Sequence, residues 1–369
     1  MAPSDWASLP SELVCRVAEV FLVTSDVDYY MSVRAVCRNW RAATDDPRGP
    51  DPRFCPRGWV LLSSLAGRRC LFLHVDTGRF LWKDLPVLGD YTCIASTEDG
   101  HLVLEPAARN SRICLLNPIT GRLVRFPVTT AQFLGDNEFG LTRTHRRSMF
   151  VTCSSAMVLY SLFDSSSGGC IDLNWDAVFN RESLFTVKPT LGAVAAMVPF
   201  KGRAYAVNKC GSVVVVEHNC RLDEKPEVNT IVPQKWYGFD NRSTFLVDNA
   251  GDLLLVGLLK KKMEVFRVDV ESGVLEQVKS IGNRAIFLGS QRCLSVDAYN
   301  LPAIECNCIY YSGRGFDGGF CVHHLKDGSD MELSECLVRG VTEEGWMRKH
   351  SPKSLASFLM EYVCYGIIP

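Results

Sequence analysis

The chain has 369 residues, with 40 Lys and Arg against 41 Asp and Glu, a formal net charge of −1. That length exceeds one ordinary core and suits two or three units of roughly 100–200 residues. The near-neutral balance excludes a global field that would draw the chain onto nucleic acid or an anionic membrane. The opening Met-Ala-Pro-Ser-Asp-Trp lacks the charged and then apolar pattern of a secretory signal. The longest apolar runs, Leu191 to Phe200 and Leu253 to Leu259, fall short of the ~20 residues of a membrane span. The expectation is a soluble chain in the cytoplasm, the nucleus or both, without nucleic-acid or membrane partners. Its 16 cysteines are scattered singly with no C-x-x-C, which in a reducing compartment reads as small buried hydrophobes.

The first 45 residues read as three short helices. Pro10 suits a first turn, where its missing N–H would have had no partner, and Glu12 suits the positive end of the helix dipole. Leu13, Val17, Val20 and Phe21 then recur at i, i+4, i+7 and i+8, one apolar face of a helix. Ser25-Asp26-Val27-Asp28 resembles an N-cap with an acid three residues on, opening a second helix. In "SVRAVCRNWRAAT", Val33, Val36, Cys37 and Trp40 form a further stripe, with Arg34, Arg38 and Arg41 off it. The breaker-rich run from Asp45 to Pro52 ends the segment. Three such helices make a core too small to stand alone comfortably, so the module is expected to lean on the rest of the chain or on a partner.

These residues carry a resemblance. Leu9-Pro10-x-Glu12-Leu13, followed by Val33-Arg34-x-Val36-Cys37-Arg38-x-Trp40-Arg41, is similar to the F-box motif. The family uses this module to dock on the Skp-type adaptor of a cullin–RING ubiquitin ligase. The resemblance implies that Leu9, Pro10 and Leu13 contribute to an adaptor-facing surface, with Val33, Val36 and Trp40 supporting or extending it. The middle, Val-Thr-Ser-Asp-Val-Asp-Tyr-Tyr-Met, departs from the family, which more often shows leucines there.

From about residue 55 the texture becomes that of an all-β region. A glycine followed by an apolar strand recurs at Gly58, Gly100, Gly211 and Gly251, and a polar turn ending Ser/Thr-Gly recurs at Gly78, Gly121 and Gly273. The offsets keep step: Gly58 to Gly78 is 20 residues, Gly100 to Gly121 is 21 and Gly251 to Gly273 is 22. A strand, a hairpin and a tight turn within ~40–50 residues is the spacing of propeller blades. The expected fold is therefore mainly β: a three-helix module at 4–46, a linker at 47–54, a six- or seven-bladed propeller at 55–340 and a C-terminal segment at 341–369. An irregular pair of β-sandwiches is the structural alternative, because residues 130 to 200 fit the repeat poorly. Leu355, Phe358, Leu359 and Tyr362 sit at helical spacing behind Ser351-Pro352, which predicts a helix pinned across the domain. "NPITGRLVRFP", "FRVDVESGVLEQVKSIGNRAIFLG" and "ECNCIYY" followed by "HHLKDG" resemble the large plant F-box group with a kelch-like C-terminal propeller.

Motifs of catalysis are missing. No G-x-S-x-G elbow, H-E-x-x-H, G-K-[ST] loop or G-x-G-x-x-G follows a credible strand. His101, His145 and His218 lack a telling partner and read as surface or capped histidines. The glycine-rich stretch Gly313 to Gly319 and Lys260 to Lys262 read as hairpin loops, and Arg143 to Arg147 as a solvated loop tip. Cys306, Cys308, Cys321, His323 and His324 read as strand residues alternating between faces, not as a metal cluster. The resulting expectation is a non-enzymatic substrate receptor of an SCF-type ligase, without catalytic residues, metal or cofactor. Its helices hold the Skp-type adaptor and through it a cullin, and its propeller holds a target protein. A propeller enzyme or small-ligand binder with a helical extension is the alternative, and a convergent polar cluster in the channel would favour it.

Overall fold

The computed structural model describes residues 6–49, 51–65, 68–106, 112–129, 148–153, 158–163, 170–174, 185–187, 194–217, 227–236, 243–259, 262–289, 292–312, 319–333, 339–342, 345–348 and 355–365. Arg143 to Arg147, His145, His218 and most of the loop from Gly313 lie outside them.

The N-terminal helices are α1 (Ser11–Val23), α2 (Val27–Ala35) and α3 (Arg38–Ala43). Two local readings need correction. The cap of α2 is Asp26, whose side chain accepts from the Tyr29 N–H at 3.2 Å, while Ser25 turns the chain with φ 58°. The stripe Val33–Val36–Cys37–Trp40 is not one helix. Cys37 is extended (φ −158°, ψ 174°) and caps α3 through its Sγ, 3.5 Å from the Trp40 N–H. The Arg34 guanidinium holds the far end of α3, donating to the Thr44 and Asp45 carbonyls at 2.5 Å each.

The remainder is mainly β, in a propeller arrangement. Five sheets run as plain antiparallel meanders. Sheet 1 is Trp59–Leu65, Arg69–His74 and Phe80–Asp84. Sheet 2 is Tyr91–Ser96, Leu102–Pro106, Arg112–Leu116 and Leu123–Thr129. Sheet 3 is Ser148–Cys153, Val158–Phe163, Cys170–Asn174 and Phe185–Val187. It occupies the stretch that fits the repeat poorly. Sheet 4 is Val194–Phe200, Arg203–Asn208, Val213–Glu217 and Glu227–Val232. Sheet 5 is Ser243–Asn249, Asp252–Leu258, Met263–Val268 and Leu275–Gln277.

Sheet 6 breaks the pattern. Its order is Cys293–Asp297, Arg284–Leu288, Cys308–Ser312, Phe320–His324 and Asp330–Glu332, with Arg284–Leu288 running parallel to Cys308–Ser312. A hairpin, Arg339–Thr342 with Gly345–Arg348, follows. Runs such as Val213 to Val216 and Leu253 to Val256 are buried throughout. A sheet stacked between two neighbours hides both faces, so its strands lose the one-sided alternation of a half-exposed sheet.

The ring closes. Val60, Leu62 and Leu73 of sheet 1 share a core with Phe287, Val296 and Tyr310 of sheet 6, where a pair of sandwiches would leave the two ends apart. The C-terminal helix α4 (Leu355–Tyr365) seals this junction, with Ala356, Leu359, Met360 and Val363 buried. Buried Arg292 locks it: its N–H donates to the Val363 carbonyl at 3.2 Å, and its guanidinium donates to the hydroxyls of Tyr362 (2.9 Å) and Ser96 of sheet 2.

The repeat shows as one turn built four times. The N–H groups of Gly78, Gly121, Gly273 and Gly328 bond back to the carbonyls of His74, Asn117, Asp269 and His324 at 2.8–2.9 Å, and each glycine has positive φ. Gly211 was expected among the glycines that precede a strand hairpin, yet it closes this other turn in sheet 4. Its N–H reaches Asn208 at 3.0 Å, one residue closer in sequence, and Cys210 replaces the usual Ser/Thr. Its counterpart in the first set is Gly202, at φ 79°. Gly78 and Gly121 separate two costs. Their φ values are 68° and 73°, but a Cβ on Gly78 would lie 2.3 Å from the Asn300 carbonyl oxygen, and on Gly121 it would meet nothing within 4 Å. Gly121→Ala is expected to cost only the left-handed backbone, ~1 kcal/mol. Gly78→Ala adds a backbone clash and should lose at least ~1–3 kcal/mol more, measured by urea unfolding of the full chain; equal losses would contradict this packing.

Candidate functional site

Helix α1 is apolar on two sides. Ala18 faces inward with Tyr30, Val33 and Phe54, Phe21, Leu22 and Trp40 pack around them, and Val14 is buried one turn earlier. Of the stripe legible in the sequence, only Phe21 packs inward: Leu13, Val17 and Val20 are 46%, 44% and 59% exposed, and the neighbouring Val23 is 85% exposed. Pro10 is exposed and Leu9 is half-buried beside this face. Val33 lies in the module's own core, Val36 is 55% exposed, and Trp40 is half-buried with its indole N–H donating to the Trp6 carbonyl at 3.1 Å. So Pro10, Leu13 and Val36 are presented outward, with Leu9 at the edge, while Val33 supports from within.

The module is fastened to the propeller by its opposite side. Val27 is fully buried among Trp59, Phe72 and Leu102 of sheets 1 and 2. Arg79 bonds Asp26 at 2.6 Å and Asp28 at 2.9 Å, and its guanidinium lies 4.0 Å from the Tyr29 ring centroid and 4.8 Å from that of Trp59. Phe54, at the end of the expected linker, packs its ring tilted at 47° against Tyr30 with centroids 5.2 Å apart, and its carbonyl accepts from Asn117 Nδ2 at 2.7 Å.

A second surface is the mouth of the channel. Turns from sheets 1, 2, 4, 5 and 6 converge on a cavity of about 660 Å³. The carboxylates of Asp76, Glu98, Asp99, Asp248 and Asp297 and the cations Arg57, Lys201 and Arg284 line it. Arg284 and Asp76 face one another at 3.5 Å, leaving an acidic excess around Glu98. Burial, with the neighbouring Asp99 and Asp248 carboxylates adding to it, pushes the Glu98 carboxyl up to about 7 against the pull of Arg292. Asp99 Oδ1 lies 2.5 Å from Thr97 Oγ1 and 3.0 Å from His101 Nδ1. His101 is therefore a buried histidine with a carboxylate companion two residues earlier, not a surface one.

The donor atoms of Cys55, Asp99 and His101 lie within 4.8 Å of one another, a set that could hold a metal ion. Burial and Asp99, to which the thiol is hydrogen-bonded, push Cys55 up to about 12, which keeps it protonated beside the turn at 97–101. None of this cluster was legible beyond the local Asp-x-His, since Cys55 arrives from the linker.

The fold and these two surfaces define a β-propeller protein with an appended helical module. The chain belongs to the KIB1-4 beta-propeller family, whose pattern matches residues 62–333. It is similar to an Arabidopsis thaliana F-box protein, 21% identical over 344 residues that cover 84% of this chain and 96% of the relative. A second F-box-named chain of that plant is 23% identical over 346 residues, covering 84% and 89%. Among solved structures, TolB from Acinetobacter baumannii aligns at 10% identity and a TM-score of 0.36, over 75% of this chain and 63% of that one. Among the described residues no helix is long and apolar enough to cross a membrane.

The raised Glu98 carboxyl makes a pH prediction. Its folded pKa, about 7, lies above the ordinary 4.5, so the folded state holds a proton that the unfolded state releases. Stability from this group is therefore present below pH 4.5 and lost as pH rises to 7. Glu98→Gln should abolish that loss and raise stability at pH 8 by roughly 1–3 kcal/mol, while leaving stability at pH 4 near that of the parent chain, by denaturant melts at both pH values.

Proposed function

We propose that the chain is a substrate receptor of an SCF-type cullin–RING ubiquitin ligase: α1 and its neighbours dock on the Skp-type adaptor, and through it a cullin, while the propeller mouth takes a target protein. The observation that carries this reading is the outer face of α1. Leu13, Val17, Val20 and Val23 lie open on a module whose core is already filled by Val14, Ala18, Tyr30, Val33 and Phe54. A second apolar face on a packed helix is surplus to folding and suits a partner. The F-box relatives and the Leu9-Pro10 and Val36-Cys37-Arg38-x-Trp40 motifs support the same assignment.

The chain's contribution is positional. It raises the local concentration of target lysines near the charged enzyme, and bond-making happens elsewhere in the assembly. The reading takes a kelch-like propeller of six or seven blades, of which the described residues include six sheets of three or more strands, working in the cytoplasm, the nucleus or both. The polar cluster at the mouth favours one other reading, a small-ligand-binding propeller. Stoichiometric ligand in the purified protein, without adaptor, would reverse the ranking.

Removing residues 1–46 would strip Val27 and both Arg79 carboxylates from sheet 1, so the cleaner test lies on the outer face. Leu13→Asp with Val17→Asp in the full chain should weaken adaptor binding by roughly 30-fold or more, the loss of two central contacts, with unfolding midpoint unchanged. Undiminished binding by calorimetry would overturn the assignment.

A further inference from the structure

The alternation of strand residues sorts the Cys/His-rich end of sheet 6 into two faces. Cys308 is paired directly with His324 across neighbouring antiparallel strands, while His323 pairs with Ile309 and Cys321 with Tyr311. Cys308 Sγ lies 3.2 Å from His324 Nδ1, and that same nitrogen lies 3.7 Å from Glu305 Oε2. The three donor atoms fall within 4.8 Å of one another. A zinc ion with N and O ligands at ~2.0–2.1 Å and S at ~2.3 Å spaces tetrahedral ligand pairs at ~3.3–3.6 Å, and the observed 3.2 and 3.7 Å lie just outside that range on either side, within a rotamer adjustment.

The loop that supplies Glu305 is pinned. The Glu305 N–H donates to the Tyr310 hydroxyl at 2.9 Å. The Asn307 N–H donates to the Arg284 carbonyl at 2.8 Å, and the Asn307 carbonyl accepts from the Leu325 N–H at 3.2 Å. Asn307 Oδ1 also accepts from the Ile281 N–H at 2.9 Å, and the residue is held at φ 56°. A non-glycine residue in that region persists only where its surroundings over-determine it. Cys306, a free exposed thiol, directly precedes it. Two strands and an anchored loop thus bring together a thiol, an imidazole and a carboxylate, and Glu305 is more than half exposed at the entry side.

We propose that Glu305, Cys308 and His324 form a binding site for a divalent cation of the zinc class, with the fourth position open to the Cys306 thiol or water. Mixed S, N and O donors select borderline-soft ions over calcium or magnesium. The site lies at the same end of the ring as the channel mouth, because Arg284 lines the mouth and its carbonyl anchors Asn307. An ion there would clip the loop before Cys308 to the strand Phe320–His324, both outside the cavity lining itself.

The test uses the full chain, stripped with chelator and titrated with Co²⁺, then competed with Zn²⁺. One equivalent of Co²⁺ giving a thiolate charge-transfer band and tetrahedral d–d absorption, displaced by Zn²⁺, is expected. Cys308→Ser should remove the charge-transfer band or, if Cys306 contributes, halve it. The part-exposed His324→Gln and Glu305→Gln, which leave the core intact, should each weaken affinity by roughly tenfold or more, ~1.4 kcal/mol. Cys55→Ser should change nothing. No band with the parent chain, a band untouched by all three substitutions, or loss only in Cys55→Ser (placing the ion at Asp99 and His101) would each overturn the assignment. Weak multiple equivalents insensitive to the substitutions would show an adventitious ion only, with the same consequence.

Discussion

One cation sets the geometry of both candidate surfaces. Arg79 sits in a short turn of sheet 1, holds the acidic N-terminus of α2 through Asp26 and Asp28, and is covered by Tyr29 and Trp59. Asp26 is nearly inaccessible, so the pair is screened far less than a surface ion pair. Both terminal nitrogens donate to carboxylates, while the buried Nε has no hydrogen-bond partner among the described residues, so part of the cost of burying the charge stays uncompensated. The same turn carries Asp76, three residues earlier, into the wall of the cavity. The helical module is therefore fixed at the end of the ring where the channel opens, and fixed by α2. That leaves the outer face of α1 with no work to do inside the chain.

The two-sidedness of α1 explains why its sequence pattern is informative and misleading together. Apolar periodicity finds a helix, but it cannot say which side the protein keeps for itself. Periodicity gathers Leu13, Val17, Val20 and Phe21 on one face, whereas the structure divides them: Phe21 packs on the core of Ala18, Tyr30, Val33 and Phe54, and the other three stay exposed. An apolar face left open this way needs a reason outside the fold, and docking on a partner is the one proposed for it.

Much of the propeller was legible because the repeat has local chemistry. A turn with a fixed hydrogen-bond pattern and a left-handed glycine must recur in sequence if it recurs in space, and Gly78, Gly121 and Gly273 do. Where the turn shortens by one residue, at Asn208 to Gly211, the spacing misleads and the glycine joins the wrong set. The break at Cys37 was hidden for a related reason: an extended cap residue costs one position, and the stripe on either side still counts as helical. The mouth could not be read at all. Its five carboxylates come from four of the sheets, each unremarkable alone, and only closure of the ring between sheets 1 and 6 brings them together. The metal-type cluster lies between these cases. Alternation along the strands correctly separates His323 from His324, yet the pairing of Cys308 with His324 and the reach of Glu305 depend on register and on a pinned loop.

The central claim is that α1 is held by its inner side and offers its outer side to a Skp-type adaptor. Hydrogen exchange of the full chain with and without that adaptor reads this directly, since contact slows exchange where it forms. The account predicts slowed exchange across residues 11–23 and around Val36, with the turn at 97–101 in the channel mouth unchanged. Unaltered exchange over α1 in a saturated complex, or protection confined to the mouth, would contradict it.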